Sequence, residues 1–452
     1  MSRVKDMTTG NPTKLILSFS LPLILANVGQ QLYMIADAAI VGRGIGVKAL
    51  AAVGATDWSY WVILWTITTM TQGFATFVSR YFGERDFGKM NKAIAMSCLL
   101  SAGMAVVLTV AGLALTRPVL ELLKTPEDIL DDSMIYLSTL IAGSLAVAGY
   151  NMTASILRAF GDGKSPLIAM VIAAVLNVGL DLVSVFLLDW GVFGAAMASV
   201  TAQLVAFIYC FVRILKVEYV KLDRGAIHPD GRMIRELLAF GLPLALQYMV
   251  INASGMILQS TVNLQGSIFV AGYTANNKVY GLLECSAISL GFAATTFFSQ
   301  NYGAKQLDRF RAGMRSTIGI GIGMALAVGG LMALFGRQLL NLFIDSAEVD
   351  AAQALEISHR YLMTMSASLI ILFLIYAYRS ALQSVGSSIP SMISGFTECG
   401  ARVLVAKGLF LWMGQEVLYF SEPVAWLGSL VFIAGAYYVL RNRYLKPEKT
   451  RP

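Results

Sequence analysis

Long apolar runs separated by short polar connectors fill this chain from end to end. A helix needs ~20 apolar residues to cross the hydrocarbon of a bilayer, and these runs meet or exceed that length. They predict twelve membrane helices, at 16–42, 49–79, 93–116, 133–157, 164–188, 193–215, 234–261, 266–299, 312–335, 357–384, 388–413 and 419–440. No connector is long enough for a soluble domain. The first run, starting near Leu15, lacks the small-residue cleavage site of a secretory signal.

The pattern also repeats. Leu21-Pro22-Leu23-Ile24-Leu25 returns as Leu242-Pro243-Leu244-Ala245-Leu246. Gly73-Phe74-Ala75, with Ser79 and Gly83 following, returns as Gly291-Phe292-Ala293 with Ser299 and Gly303, and Tyr136-Leu137 as Tyr361-Leu362. The matches keep one order and lie about 218 to 225 residues apart. Six spans per half is an even number, so both copies insert in the same orientation and the repeat axis runs along the membrane normal. The expected fold is an all-α integral membrane protein with an N-lobe at 14–215, a linker at 216–232, a C-lobe at 233–441 and a basic tail at 442–452. A duplicated helical bundle is the usual build of a secondary transporter, with its site near the midplane.

Composition agrees with the pattern. Hydrophobic residues make up 57% of the chain and charged residues 13%, against about 25% charged in soluble domains; mean hydropathy is +0.67. The net charge of +7 is not spread evenly. It gathers on alternate connectors: Arg80, Arg85, Lys89 and Lys92; then Arg213, Lys216, Lys221, Arg224, Arg232 and Arg235; then Lys305, Arg309, Arg311 and Arg315; and at both tails. By the positive-inside rule both termini and the linker are cytoplasmic. The basic excess therefore reports topology and contact with anionic lipid, not a nucleic-acid partner. Cys98, Cys210, Cys285 and Cys399 sit within apolar spans without paired spacing, and His228 and His359 are isolated, so neither a disulfide framework nor a metal centre is expected.

Charges inside a bilayer are costly and each needs a reason. Asp37 lies deep in the first span with no basic partner three or four residues away. Asp181 lies in the fifth, one helical turn after Asn177 and on its face. Two carboxylates with an amide and a hydroxyl suit Na⁺, the one metal ion the pattern admits, and suit a proton equally well. The alternative is that both merely hydrogen-bond neighbouring helices. Asp57, near the start of the second span, fits an interfacial position in contact with water. In the second half Glu398 and Arg402 are spaced for an ion pair within one helix, while Lys278 and Glu284, six apart, occupy different faces. Arg379 ends the tenth span. Lys278, Glu284, Arg379, Glu398 and Arg402 each either face a central cavity and meet a charged substrate or pair across helices. Pro22, fifteen residues before Asp37, permits a bend in the first span. Tyr33, with neighbouring Met and Trp side chains, supplies an adaptable apolar wall of the kind a cavity for lipophilic cations needs.

At this point the chain resembles the multidrug and toxic-compound extrusion (MATE) transporters along nearly its whole length. The resemblance rests on the Leu-Pro opening of each half, Ile35-Ala36-Asp37 before Val41-Gly42, Leu176-Asn177 with Asp181, Gly194-Ala195-Ala196, and Gln300-Asn301-Tyr302-Gly303-Ala304. It implies cofactor-free export of drugs or metabolites, driven by inward H⁺ or Na⁺ through alternating access of two lobes, by a protein that works as a monomer in a bacterial plasma membrane. The family's cation site then maps onto Asp37, Asn177 and Asp181. A family threonine falls at Ser199, and the family's bending proline at Pro22. The stretch Gln247-Tyr248-Met249-Val250-Ile251-Asn252 holds no carboxylate where one branch has one, so the chain resembles the DinF-like branch. The competing readings are a lipid-linked oligosaccharide flippase of the same superfamily, favoured by Lys278, Arg379 and Arg402 but opposed by the span count, and a membrane-embedded transferase, for which no phosphate loop or nucleophile–base pair is present. Aligning the halves at an offset of about 222 sets Gln259 opposite Asp37 and Val403 opposite Asp181, or Val405 where Pro166 is aligned with Pro390, so the repeat keeps its ion-site candidates in one copy only.

Overall fold

The computed structural model describes residues 4–221, 224–344 and 350–445. Of the tail expected over 442–452, everything after Leu445 lies outside the described residues. All regular elements among the described residues are helical: α1 (Pro12–Gly44), α2 (Val47–Glu84), α3 (Phe87–Leu122), α4 (Glu127–Ala142), α5 (Ser144–Ala159), α6 (Lys164–Leu182), α7 (Gly191–Leu215), a short α8 (Arg224–Ile227), α9 (Gly231–Asn263), α10 (Ser267–Gly303), α11 (Leu307–Leu340), α12 (Ala351–Ser384), α13 (Ile389–Val403), α14 (Phe410–Met413) and α15 (Ser421–Tyr444). In lipid only a backbone that satisfies its own hydrogen bonds can span the hydrocarbon, which is why apolar runs of this length become helices.

The twelve expected spans all appear, though three are broken. By length and apolarity nine of the described helices can cross a membrane, or ten when α4 and α5 count as one bent pass. The other two passes come from α2, whose Thr, Ser, Gln and Trp side chains dilute its apolarity, and from splitting the run 389–444, which turns at Gly414 where φ is +63°. The span expected at 133–157 is two helices bent by 44°. The bend falls at Gly143, where a Cβ would stand 2.3 Å from Val200 Cγ2, so close packing against α7 fixes the break. The spans expected at 164–188 and 388–413 each contain a π-helical turn, at Val183–Leu187 and Leu404–Leu409.

The chain divides into two compact units, one comprising Met1–Asp6 with Leu21–Ala245, the other Met7–Ser20 with Leu246–Pro452. Each repeat's first helix therefore begins in the unit of the other repeat. The crossovers fall beside Pro22 in α1 and just after Pro243 in α9, where the backbone lacks one helical hydrogen bond. In the first unit the early part of α9 packs on α2 through glycines: a Cβ on Gly241 would meet Phe74 at 2.7 Å, and one on Gly73 would meet Leu244 at 3.0 Å. The linker is clamped there too. Asn91 Nδ2 donates to the Tyr219 carbonyl at 3.1 Å, its Oδ1 accepts from Lys221 N–H at 3.1 Å, and Phe87 stacks on Tyr219 at 4.7 Å. In the second unit Met7, fully buried, is held by Gln300 and Asn301, and Arg309 donates to the Gly10 and Met7 carbonyls.

The duplication is legible in the backbone. Arg85 and Lys305, each two residues after a repeat glycine, both adopt left-handed φ values, 62° and 56°. Burial repeats as well. Only 11% of the most apolar stretch of α3 and of its counterpart α11 is buried, so both turn toward lipid, whereas α10 (78%) and α12 (61%) form the centre of the second unit. At the α2–α3 turn Asp86 caps α3 by accepting from Lys89 N–H at 3.0 Å. That bond and the Lys89 ammonium 3.0 Å away hold its carboxyl below the usual carboxylate range.

Candidate functional site

The sequence-predicted ion-site residues meet inside the first unit. Asp37 of α1 and Asp181 of α6 are buried, at 7% and 0% exposure, and lie near enough to interact electrostatically. Asn177, fully buried one turn before Asp181, donates from Nδ2 to Ser199 Oγ on α7 at 3.2 Å. The four residues of the expected site thus lie on three helices of one unit. Asp37 Oδ1 is buried and accepts no hydrogen bond among the described residues, which leaves a coordinating position open on the pair.

Local structure explains how the helices come so close. The π-helical turn Val183–Leu187 begins directly after α6. Ser184 Oγ donates to the Asp181 carbonyl at 3.3 Å. A Cβ on Gly194 would overlap Ser184 Cβ at 2.7 Å, and one on Gly44 would overlap Val185 Cγ1 at 2.4 Å, so α7 and the end of α1 both reach the turn only because those positions are bare. The Gly194-Ala195-Ala196 stretch serves this approach. π-turns inside helices are frequent at functional sites because they re-aim side chains and loosen the local backbone ladder.

Two groups at this site were not singled out from sequence. Tyr136 of α4 lies close to Asp37, and Gln203 of α7 close to Tyr33, which lies one turn before Asp37. Tyr136 was visible only as a repeat marker; nothing in its neighbourhood on the chain ties it to Asp37. Asp57 of α2 is partly exposed and near enough to interact electrostatically with Asp37. Among the described residues no group of three or more His, Cys, Asp or Glu side chains is placed to hold a metal.

The charged residues of the second unit have a different fate. The expected Glu398–Arg402 pair is present at 3.3 Å and is the middle of a longer chain. Arg379 Nη2 donates to Glu398 at 2.9 Å, and Arg402 donates to Glu422 at 2.6 Å. Arg379 also donates to Ser394 and Ser429, and Arg402 to Ser254 and the Ile251 carbonyl. Arg379, Glu398 and Arg402 are only 4 to 6% exposed, so of their two alternatives the structure has them paired across helices. Lys278 is exposed, whereas Glu284 is only partly so.

A protein-family model described as MatE matches this chain twice, at residues 22–183 and 243–406. The chain belongs to the MatE family. The two matches begin at Pro22 and Pro243, the positions from which the internal repeat was read, and members of this family are transporters rather than enzymes. This MATE transporter is 27% identical over 436 residues to the probable multidrug resistance protein YoeA of Bacillus subtilis (strain 168), across 93% of this chain and 92% of that protein. Over 429 residues it is 24% identical to the probable multidrug resistance protein NorM of Thermotoga maritima, across 93% and 89%. Among solved structures it shares its fold with a MOP superfamily transporter from Pyrococcus furiosus described as having a binding pocket of reversed polarity (TM-score 0.90, 23% identity, 99% of each chain). It shares it also with an outward-facing multidrug resistance MATE transporter (TM-score 0.87, 22% identity, 98% of each chain).

Proposed function

We propose that this MATE transporter is a secondary antiporter that exports lipophilic or cationic small molecules in exchange for H⁺ or Na⁺, and that Asp37, Asn177, Asp181 and Ser199 carry the coupling ion. The observation behind this reading is the proximity of two buried carboxyl groups on different helices of one unit. A bound proton neutralises one of them. Its loss leaves two like charges side by side in a dry site, a costly arrangement. That cost is relieved by a new cation at the open Asp37 oxygen or by moving α1, and α1 has a weak point for such movement at Pro22. Ion occupancy and helix shape are thereby linked, which is what alternating access of two lobes requires. The four side chains, two carboxyls, an amide and a hydroxyl, suit either ion.

The relatives' names support multidrug resistance as the physiological setting, and bacterial relatives support the plasma membrane, with both termini cytoplasmic by the charge pattern. Against the flippase reading, Arg379 and Arg402, two of the three cations that favoured it, are engaged by Glu398 and Glu422. In cells expressing the chain, export of a fluorescent cationic dye should stop when an ionophore collapses the ion gradient. It should be lost in Asp37→Asn and Asp181→Asn at wild-type expression. Export that survives the ionophore would remove the antiport reading.

A further inference from the structure

The duplicated π-helical turns fix the register of the two repeats. They begin at Val183 and Leu404, 221 residues apart, the same separation as Pro22 and Pro243. In that register Asn177 and Asp181 correspond to Glu398 and Arg402, so Arg402 rather than Val403 is the counterpart of Asp181. The helix that carries Asp37 corresponds to α9, where fully buried Leu258 takes the place of the carboxylate. The second unit has kept the position of the ion site and filled it with an ion pair, Glu398 to Arg402 at 3.3 Å.

Arg402 joins the first helix of its repeat to the helix that runs into the π-turn, as a bound cation is proposed to do in the first unit. From α13 its Nη1 donates to the Ser254 hydroxyl and, at 3.3 Å, to the Ile251 carbonyl, both on α9. Ser254 Oγ donates to that same carbonyl at 2.7 Å, which closes the grip. Nε and Nη2 of Arg402 donate to Glu422 at the start of α15. Packing supports the join, since a Cβ on Gly395 of α13 would stand 3.1 Å from the Gln247 carbonyl oxygen of α9. Further along, Lys407 of the π-turn donates to Ser260 of α9 at 3.4 Å. All of these attachments lie beyond Pro243, the weak point of α9.

The two joins differ in one respect. An ion between carboxylates can leave, whereas a guanidinium is tethered to the chain and keeps its charge. We infer that Arg402 is the resident cation of the second unit's copy of the ion site, a positioning residue that holds α9 fixed while α1 responds to the coupling ion. The inference rests on the export reading for what α1 does; the hold on α9 is tested separately. It makes a duplicated fold one-sided in function: one repeat exchanges its cation and the other has it built in.

The test is amide hydrogen exchange across α9, read by mass spectrometry on the purified full chain in lipid nanodiscs. Arg402→Met with Glu422→Leu removes one charge of each sign and leaves Arg379 paired with Glu398. Peptides covering 246–258 should exchange about tenfold faster, and those of α12 should not change. The matched control, Arg379→Met with Glu398→Leu, keeps Arg402 on Glu422 and on α9, so the same peptides should stay within about twofold of wild type. Ser254→Ala leaves every ion pair in place and should speed them about threefold, which tests the hold even where the double variant fails to fold. Unchanged exchange in these variants overturns the inference. So does an equal rise in the control, which is what a loss of stability alone would give. In proteoliposomes under an imposed ion gradient the Arg402 double variant should let dye equilibrate but accumulate about tenfold less of it than wild type. Loosened α9 with wild-type accumulation also overturns the inference. If the wild type accumulates no dye the export reading falls, and faster exchange confined to α9 still supports the hold.

Discussion

Changing Glu398 to Gln removes one negative charge from the centre of the buried network at nearly constant volume. Arg402 keeps Glu422 at 2.6 Å, whereas Arg379 loses its ion pair and keeps the hydroxyls of Ser394 and Ser429. Both arginine side chains and that of Glu398 are only 5 to 7% exposed, so solvent does little to screen the loss. Removing one partner of a buried pair costs about 3–5 kcal/mol. For a unit of roughly 220 residues, at about 2–4 °C per kcal/mol, melting should fall by roughly 6–20 °C. The assay is thermal unfolding of the purified protein in detergent, followed by exposure of the buried thiols Cys210 and Cys285. The second arm is the double variant Arg379→Met with Glu398→Leu, which removes one charge of each sign and leaves Arg402 balanced by Glu422. It should recover most of the lost stability, because a balanced apolar replacement of a buried pair is close to neutral. A single variant melting within about 2 °C of wild type refutes the reasoning, and so does a double variant as unstable as the single.

Other consequences are simpler to check. Gly272→Ala places a Cβ 2.7 Å from the Ala354 backbone carbonyl, which cannot swing aside, so it should destabilise the second unit by about 1–3 kcal/mol. Gly319→Ala, with nothing within 4 Å, should cost nothing in the same melting assay. Asp86→Ala should cost about 1 kcal/mol or less at neutral pH, since its carboxylate caps α3 but is partly exposed. Its carboxyl is held low in the fold, so its contribution is complete above the ordinary value of about 3.9 and disappears as pH falls through the folded value. Melting curves of wild type and Asp86→Ala should therefore converge on acidification below about pH 4; a gap that stays constant contradicts the assignment.

Much of this architecture was legible because membrane helices announce themselves by length and because duplication writes the same words twice. The Leu-Pro openings at Pro22 and Pro243 mark both the repeats and the crossovers between units. Asp37 and Asp181 stood out since a lone carboxylate in an apolar run is costly and needs a reason. What stayed hidden depends on contacts between helices. The bend at Gly143 and the π-turn after Asp181 come from the close approach of Val200, Gly44 and Gly194, which no local pattern encodes. Glu422 escaped notice because it sits at the start of α15, where a charge needs no partner to be tolerated. Tyr136 meets Asp37 only through the packing of α4. The spacing of Glu398 and Arg402 revealed one link of a four-member chain and concealed the part of the other two side chains, Arg379 and Glu422.

The central claim is that the Asp37–Asp181 pair exchanges an ion for substrate. It is tested most directly in proteoliposomes that hold a cationic dye outside and are given first a pH step, acid inside, and then a Na⁺ step, high inside. The wild type should drive dye inward against its own gradient in response to one of the two steps. Asp37→Asn should bind the dye but accumulate none under either. Accumulation by Asp37→Asn equal to wild type, or wild-type accumulation indifferent to both gradients, contradicts the account.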